Sequence, residues 1–525
     1  MFRTAELGQK LSKTEYKKIE PLLRQELLEL QRQILDSAKT QVIIVFAGVD
    51  GAGKGATVNL LNEWMDARWL INRAYREASE EERERPEFWR YWRDLPPKGR
   101  IGLFLSSWYS KPVLDRAYGN TSVPELDERL DRILAFENAL AEDGAIILKF
   151  WLHLSRKAQK ARFKALEKDP LLRWKVTEKD WEHWRRYEAF VEAAERTVTR
   201  TNTGKAKWSI VEGFDIKFSS ITVATTIRDA LRNRLDEITS NHYATVNTTT
   251  ETAVPVAASK LKDDSSSVTP SEDINTTDSI QASIPARTIF SQLDMAVKLA
   301  KNDYKSQLNT YQGKLNLLHR KAIQAGVSTI VVFEGPDAAG KGGAIRRVIG
   351  ALYPQIYQVL PFAAPTEEER AQHYLWRFWR RLSRAGHLTI FDRSWYGRVL
   401  VERVEGFATE NEWRRAYSEI NEFEEQLIEF GTVLVKFWIH ISKEEQLNRF
   451  QERQQTAYKS WKLTDEDWRN REKWNEYEAA AHDMVQYTST RYSPWVLVEG
   501  NDKYFARTKV LKTLVDNLEK ALEKH

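Results

Sequence analysis

Residues Gly335-Pro336-Asp337-Ala338-Ala339-Gly340-Lys341-Gly342 carry the pattern Gly-x-x-x-x-Gly-Lys. The pattern follows an apolar run, Ile330 to Phe333, and precedes a helical one, which is the context a phosphate-binding loop requires. Glycines let backbone N–H groups converge on phosphate oxygens, the helix N-terminus adds its dipole, and Lys341 supplies a point charge. Position 342 departs from the common rule, because Gly342 stands where a Ser or Thr hydroxyl usually holds Mg²⁺. The carboxylate of Asp337, inside the loop, is a substitute ligand, since Mg²⁺ is commonly bound through one or two carboxylates plus substrate phosphates. Asp337 also reads as a simple turn cap. A second carboxylate, Asp392, closes the apolar run Leu388 to Phe391. Ligands gather at the carboxyl ends of strands in open parallel sheets, so Asp392 is expected to hold Mg²⁺ facing the loop. Arg393 and Arg398 follow it and suit bidentate neutralisation of phosphate oxygens. The chemistry in view is metal-assisted phosphoryl transfer.

The same residues occur earlier in the chain, displaced by 287 positions. Gly48-Val49-Asp50-Gly51-Ala52-Gly53-Lys54-Gly55 echoes the loop, Trp89-Arg90-Tyr91-Trp92-Arg93 echoes Trp376-Arg377-Phe378-Trp379-Arg380, and Lys149-Phe150-Trp151-Leu152-His153 echoes Lys436-Phe437-Trp438-Ile439-His440. A fixed offset over so long a stretch marks a tandem duplication. The echo fails at one informative place: Leu105 and Ser106 stand where the second copy has Asp392 and Arg393. The second copy is therefore expected to be catalytic and the first impaired.

These side chains must be positioned by a scaffold, and the pattern indicates which one. In the second copy, apolar runs at Thr329 to Phe333, Gln358 to Leu360, Leu388 to Phe391, Val433 to Trp438 and Trp495 to Val498 alternate with helix-length amphipathic segments. Such near-continuous apolar runs predict a parallel sheet covered on both faces. Capping boxes at Thr464 to Asp467 and Thr177 to Asp180 open charged, Trp-rich helices expected to form a mobile lid on each core. Residues 239–287, rich in Thr, Ser and Asp, read as a flexible linker, which leaves domains at 1–238 and 288–525.

Composition narrows the class. The 525 residues hold 80 Lys and Arg against 75 Asp and Glu, a net charge of +5. That balance argues against a polyanion-coating tail, and no RNA-binding motif is present, so no nucleic-acid partner is expected. With no cysteine, thiol nucleophiles, disulfides and zinc ribbons are excluded. The first residues lack a signal-peptide layout and no long apolar run occurs, so the expectation is a soluble cytoplasmic protein without a membrane partner. Association with further copies of itself stays open.

Together, Gly-x-Asp-Ala-Ala-Gly-Lys-Gly, Phe-Asp-Arg-Ser-Trp-Tyr-x-Arg and Lys-Phe-Trp-x-His-Ile-Ser resemble the polyphosphate kinase 2 family, over nearly all of both units. The resemblance implies an α/β fold: two tandem P-loop nucleotide-kinase-like domains, each a parallel sheet flanked by helices with a helical lid over a polyphosphate channel. Carried over by position, it implies that Asp337 and Asp392 ligate Mg²⁺ and that Lys341 and Arg393 bind phosphates. Gly335, Gly340 and Gly342 form the cradle, Glu402 is a further acidic residue near the site, and Arg449 and Arg453 direct charge at the chain from the lid. The first copy keeps Lys54, Asp50 and Arg162, with Lys111 for Arg398 and Asp115 for Glu402, but has Leu166 for Arg453. The tandem arrangement is similar to members that make ADP from AMP and inorganic polyphosphate. ADP-to-ATP phosphorylation, an ATP-dependent nucleotide kinase, a P-loop ATPase or nucleic-acid-binding switch, and a first copy that only tethers polyphosphate or dimerises are the alternatives.

Three features carry open readings. The Trp376–Arg381 run is a helix with aromatics inward and arginines outward, or a surface that stacks a nucleobase. His153 and His440 are expected to be satisfied core histidines. Lys436 is expected either to meet phosphate or to snorkel.

Overall fold

The computed structural model describes residues 1–75, 77–170, 173–250, 288–352, 357–455 and 465–523. The five apolar runs of the second half become β6 (Thr329–Glu334), β7 (Tyr357–Pro361), β8 (Leu388–Asp392), β9 (Val433–His440) and β10 (Trp495–Glu499). Their counterparts in the first half are β1 (Val42–Gly48), β2 (Leu70–Ala74), β3 (Ile101–Leu105), β4 (Ile146–His153) and β5 (Trp208–Glu212). The two five-stranded sheets have the orders β2-β3-β1-β4-β5 and β7-β8-β6-β9-β10. Every pairing is parallel. The strand that feeds each phosphate loop is thus central, with the neighbours on its two sides reached by crossovers in opposite directions. That is the topological switch point where a crevice opens at the carboxyl ends of the strands.

Helices cover both faces. Lys301–Gln324 and Lys503–Leu522 pack one face of the second sheet, contributing Leu315, Ala322, Val510, Leu511 and Leu514 to a fully buried layer. Glu410–Glu429 and Trp474–Thr488 cover the other. Among the described residues no helix is long and apolar enough to cross a membrane. The box at Thr177 is formed, its side chain accepting from Asp180 N–H. Thr464 lies outside the described residues, but the helix it was expected to cap runs over Asp465–Glu472.

The last helix of the first copy spans Ile216–Thr250, past the expected break at Thr239. Burial of Val223, Ala224, Ile227 and Leu231 nucleates it, and once nucleated a helix gains a hydrogen bond for each residue it adds. Residues 251–287, the rest of the expected linker, lie outside the described residues.

The two copies pair with each other about an approximate two-fold axis. Trp92 stacks on its own counterpart, Trp379, with centroids 6.0 Å apart and planes 12° from parallel. Arg85 donates to Leu382 O at 3.1 Å, and the equivalent Gln372 donates to Leu95 O at 3.2 Å. One continuous apolar cluster joins Trp92 and Phe136 to Trp379 and Phe423. The rings of the aromatic–basic run are buried, and Trp379 forms part of this join, while Arg377 and Phe378 line a cavity beside the phosphate loop.

Lys436 takes neither expected role. It lies within β9, not at its end, and its ammonium donates to Glu424 (2.7 Å), Tyr396 Oη (2.9 Å) and Thr488 O (2.7 Å). Lys149 repeats the arrangement with Glu137, Tyr109 and Thr201. Three acceptors satisfy all three ammonium protons, so the charge survives deep in the core.

Candidate active site

The loop between β6 and the helix Lys341–Ile349 is bent by two glycines. Gly335 has φ +143°, and a Cβ there would lie 2.3 Å from Ile439 O on the neighbouring strand, so only glycine lets the loop leave the sheet. Gly340, with φ +111°, turns the chain into the helix whose first residue is Lys341. The Lys341 ammonium folds back to donate to Gly335 O and Pro336 O. Gly342 has open space around it.

Strand β8 delivers the second set. Phe333 and Asp392 are register partners at the ends of adjacent strands, which brings Asp392 beside the loop. The next residue, Arg393, is left-handed at φ 64°, as Ser106 is at φ 52°. This conformation costs a non-glycine residue about 1 kcal/mol or more. Its N–H donates to Phe333 O at 3.2 Å, which helps hold the turn. Arg393 thereby reaches Asp337 Oδ1 at 3.1 Å, while Asn470 from the lid helix donates to Asp337 Oδ2 at 2.8 Å. Burial works against ionising Asp337, but Lys341, Arg393 and Asn470 outweigh it and hold the carboxyl below its ordinary range. The Asp392 carboxylate carries no hydrogen bond or ion pair among the described residues.

Two cavities meet at this point. One, of about 690 Å³, is lined by Phe362, Trp438, Trp474 and Tyr477, together with Arg398 and Glu402. The other, of about 820 Å³, is lined by Arg346, Arg453, Lys503 and Arg507, with Asp392, Gly340 and Gly342 on its loop side. Asp337, Lys341 and Arg393 line both. Glu452, Glu466 and Asp467 line the second cavity as well, Glu452 lying 3.5 Å from Lys503. Burial and the neighbouring Arg347 and Arg346 push Arg507 below its usual value, against a hydrogen bond to Tyr304.

The structure thus brings Asp337, Lys341, Asp392, Arg393, Gly335, Gly340 and Gly342 to one junction. Arg398 lies one turn away, 3.1 Å from Glu402 and 4.6 Å from the centre of the Tyr374 ring. Arg449 lines the second cavity, and its guanidinium also braces the loop by donating to Ala338 O, Ala339 O, Gly500 O, Asn501 O and Glu445.

Two residues escaped the sequence reasoning. Glu334, the last residue of β6, is buried and accepts from Ser394 Oγ at 2.9 Å. Burial pushes its carboxyl up, against the pull of Lys341 and Ser394. Its counterpart is Ala47, so a comparison of the copies would have exposed it. Asn470 lay in a charged helix that reads as a solvated face, and nothing in its residue type marks it. His440 is buried beneath Phe290, with ring centroids 4.7 Å apart and nearly parallel planes, and burial lowers it to about 4. It lines the first cavity as a neutral ring, with Trp438 Nε1–H directed at its Nδ1 from 3.5 Å.

In the first copy Asp50 is held by Lys54 (3.6 Å) and by His183, the counterpart of Asn470 (2.7 Å). The cation-lined cavity has no equivalent lining there. Asn59, Leu166, Ile216 and Ser220 occupy the positions of Arg346, Arg453, Lys503 and Arg507.

The sequence matches the Polyphosphate kinase 2 (PPK2) family over residues 10–238 and again over 298–525. It is 46% identical to a polyphosphate:AMP phosphotransferase of Pseudomonas aeruginosa, covering the whole of both chains. It is 35% identical to one of Acinetobacter johnsonii, over 95% of this chain and 96% of that one. A crystal structure from Pseudomonas aeruginosa PA01, described as a polyphosphate kinase 2, superposes over the full length of both chains with a TM-score of 0.85 and 43% identity. The chain belongs to the polyphosphate kinase 2 family and carries its domain twice.

Proposed function

We propose that the chain transfers the terminal phosphate of inorganic polyphosphate to AMP, giving ADP, and that the second copy does so. The observation that carries this reading is the pair of cavities meeting at Asp337, Lys341 and Arg393. The aromatic-walled cavity suits a nucleoside, and the one lined by Arg346, Arg453, Lys503 and Arg507 suits a long polyanion. Substrates entering from opposite sides place an attacking phosphate oxygen and a terminal phosphorus in line. A phosphate oxygen is already ionised at neutral pH, so no general base is required. Lys341 and Arg393 then neutralise charge spreading over the equatorial oxygens. The naming of full-length relatives as polyphosphate:AMP phosphotransferases supports AMP as the acceptor.

Mg²⁺ fits the donor set. Asp392 presents an unpartnered carboxylate beside Asp337, and hard oxygens in that number suit Mg²⁺ completed by substrate phosphates. When bound there, the ion supplies charge neutralisation at the transferring phosphate. The loss of Asp392, Arg393 and four cavity cations from the first copy supports assigning turnover to the second.

The test is acceptor and donor profiling of the full chain. ADP formed from AMP with polyphosphate and Mg²⁺, and none with ATP as donor, is the expected result. Faster turnover with ADP as acceptor would overturn the choice of AMP, and transfer from ATP would overturn the choice of donor.

A further inference from the structure

The lining of the aromatic cavity includes residues that the second copy does not supply. Lys98 and Asp143, both from the first copy, line it. Lys98 is fixed across the join by its N–H, which donates to Ala371 O at 2.8 Å. Its ammonium lies 3.1 Å from Asp143 Oδ2. Asp143 Oδ1 accepts from Arg415 at 3.1 Å, and Arg415 donates to Glu419 at 3.1 Å and to Ala139 O at 3.3 Å. Glu419 lies 3.4 Å from His373, the residue before Tyr374, whose ring carries the Arg398 guanidinium. Asp143, Arg415 and Glu419 are 14%, 12% and 6% exposed, so the chain of contacts is nearly dry.

This bridge runs one way only. A duplicated pair meeting about a two-fold axis should repeat each contact with the copies exchanged, as Arg85 and Gln372 do. Here the exchanged positions are Ala385 for Lys98, Phe430 for Asp143, Glu128 for Arg415 and Glu87 for Tyr374. None can rebuild the bridge on the other side. Arg132, the counterpart of Glu419, instead pairs with Glu429 across the join. The join therefore holds contacts repeated with the copies exchanged, one-way ion pairs outside the cavity lining (Glu84–Arg384 and Arg132–Glu429), and an ionic strut that ends in the lining of the second copy's cavity.

We propose that the first copy completes the acceptor cavity of the second. Asp143 and Lys98 are positioning residues that hold the Arg415–Glu419–Tyr374 wall on which Arg398 is seated, and through it orient a nucleoside monophosphate. The inference rests on the reading that the second copy takes its acceptor in this cavity. The catalytically stripped copy thereby serves as a fixed wall of its neighbour's site.

The test uses the full chain with AMP, polyphosphate and Mg²⁺. Asp143→Ala is expected to raise KM for AMP about tenfold, with kcat and KM for polyphosphate changed less than twofold. Asp143→Asn, which keeps shape and loses charge, should show the same selective shift and serves if the alanine variant does not fold. Arg132→Ala breaks an ion pair across the same join away from the cavity and should leave both KM values unchanged. Equal effects of Asp143→Asn and Arg132→Ala, or no change in KM for AMP, would overturn the inference. Lys341→Ala separates this failure from failure of the underlying reading: if it leaves turnover intact, the site itself is wrongly assigned.

Discussion

At the residue scale, charge placement separates two loops of nearly the same shape. Asp337 and Asp50 occupy equivalent turns, and both are held below their ordinary range against burial, in each case chiefly by the loop lysine. The positions around them differ: the second copy has Asp392, Arg393 and Glu334 where the first has Leu105, Ser106 and Ala47. Asp392→Asn is accordingly expected to lower kcat at least 100-fold, the scale for removing one preorganised charge from a transferring group. Asp50→Asn should retain full turnover, and comparable losses from both would move the chemistry away from the second copy. His440 yields a pH prediction. Its folded-state value of about 4 lies below the ordinary 6.5, so the unfolded chain takes a proton first as pH falls. The stabilisation is complete above 6.5 and is lost as pH drops towards 4, amounting to about 3 kcal/mol. Melting curves between pH 4 and 7 should flatten in His440→Gln if this group is responsible.

At the element scale, strands were legible and their internal polar struts were not. The apolar runs predicted β6 to β10 to within two residues at each end, because strands buried on both faces leave an unbroken apolar signature. Lys436 interrupts such a run, and a sequence does not state that Glu424, Tyr396 and Thr488 converge on it from two α-helices and a short 3-10 helix. The helix bearing Asn470 was equally opaque, since its one inward amide sits among solvated charges. Arg449 reads from the sequence as a basic lid residue, and the backbone acceptors through which it also braces the loop carry no residue-type signal. The Lys436 strut gives a testable consequence. Lys436→Met strands Glu424 without its cation and should cost about 3–5 kcal/mol by chemical denaturation, while Lys436→Met combined with Glu424→Leu should recover most of it. The counterpart Lys149→Met should behave alike, because this strut supports the fold and is independent of catalysis.

At the scale of the whole molecule, the duplication is visible as a fixed offset, but the offset does not say whether the copies touch. They do, through Trp92 and Trp379 and an apolar cluster that continues from one copy into the other. Two domains joined by a small wet interface unfold in separate steps, whereas a shared core couples them. The chain is therefore expected to melt in one calorimetric transition. Trp92 is 3% exposed and packs on Phe136 and His373 as well as Trp379. Trp92→Ala should cost about 3–5 kcal/mol, as large-to-small changes in a core do. Because that loss falls on the join and not on either sheet, the single transition should split in two, with far-ultraviolet circular dichroism of the folded baseline unchanged. A uniform fall in melting temperature with the transition still single would mean that the copies are coupled elsewhere.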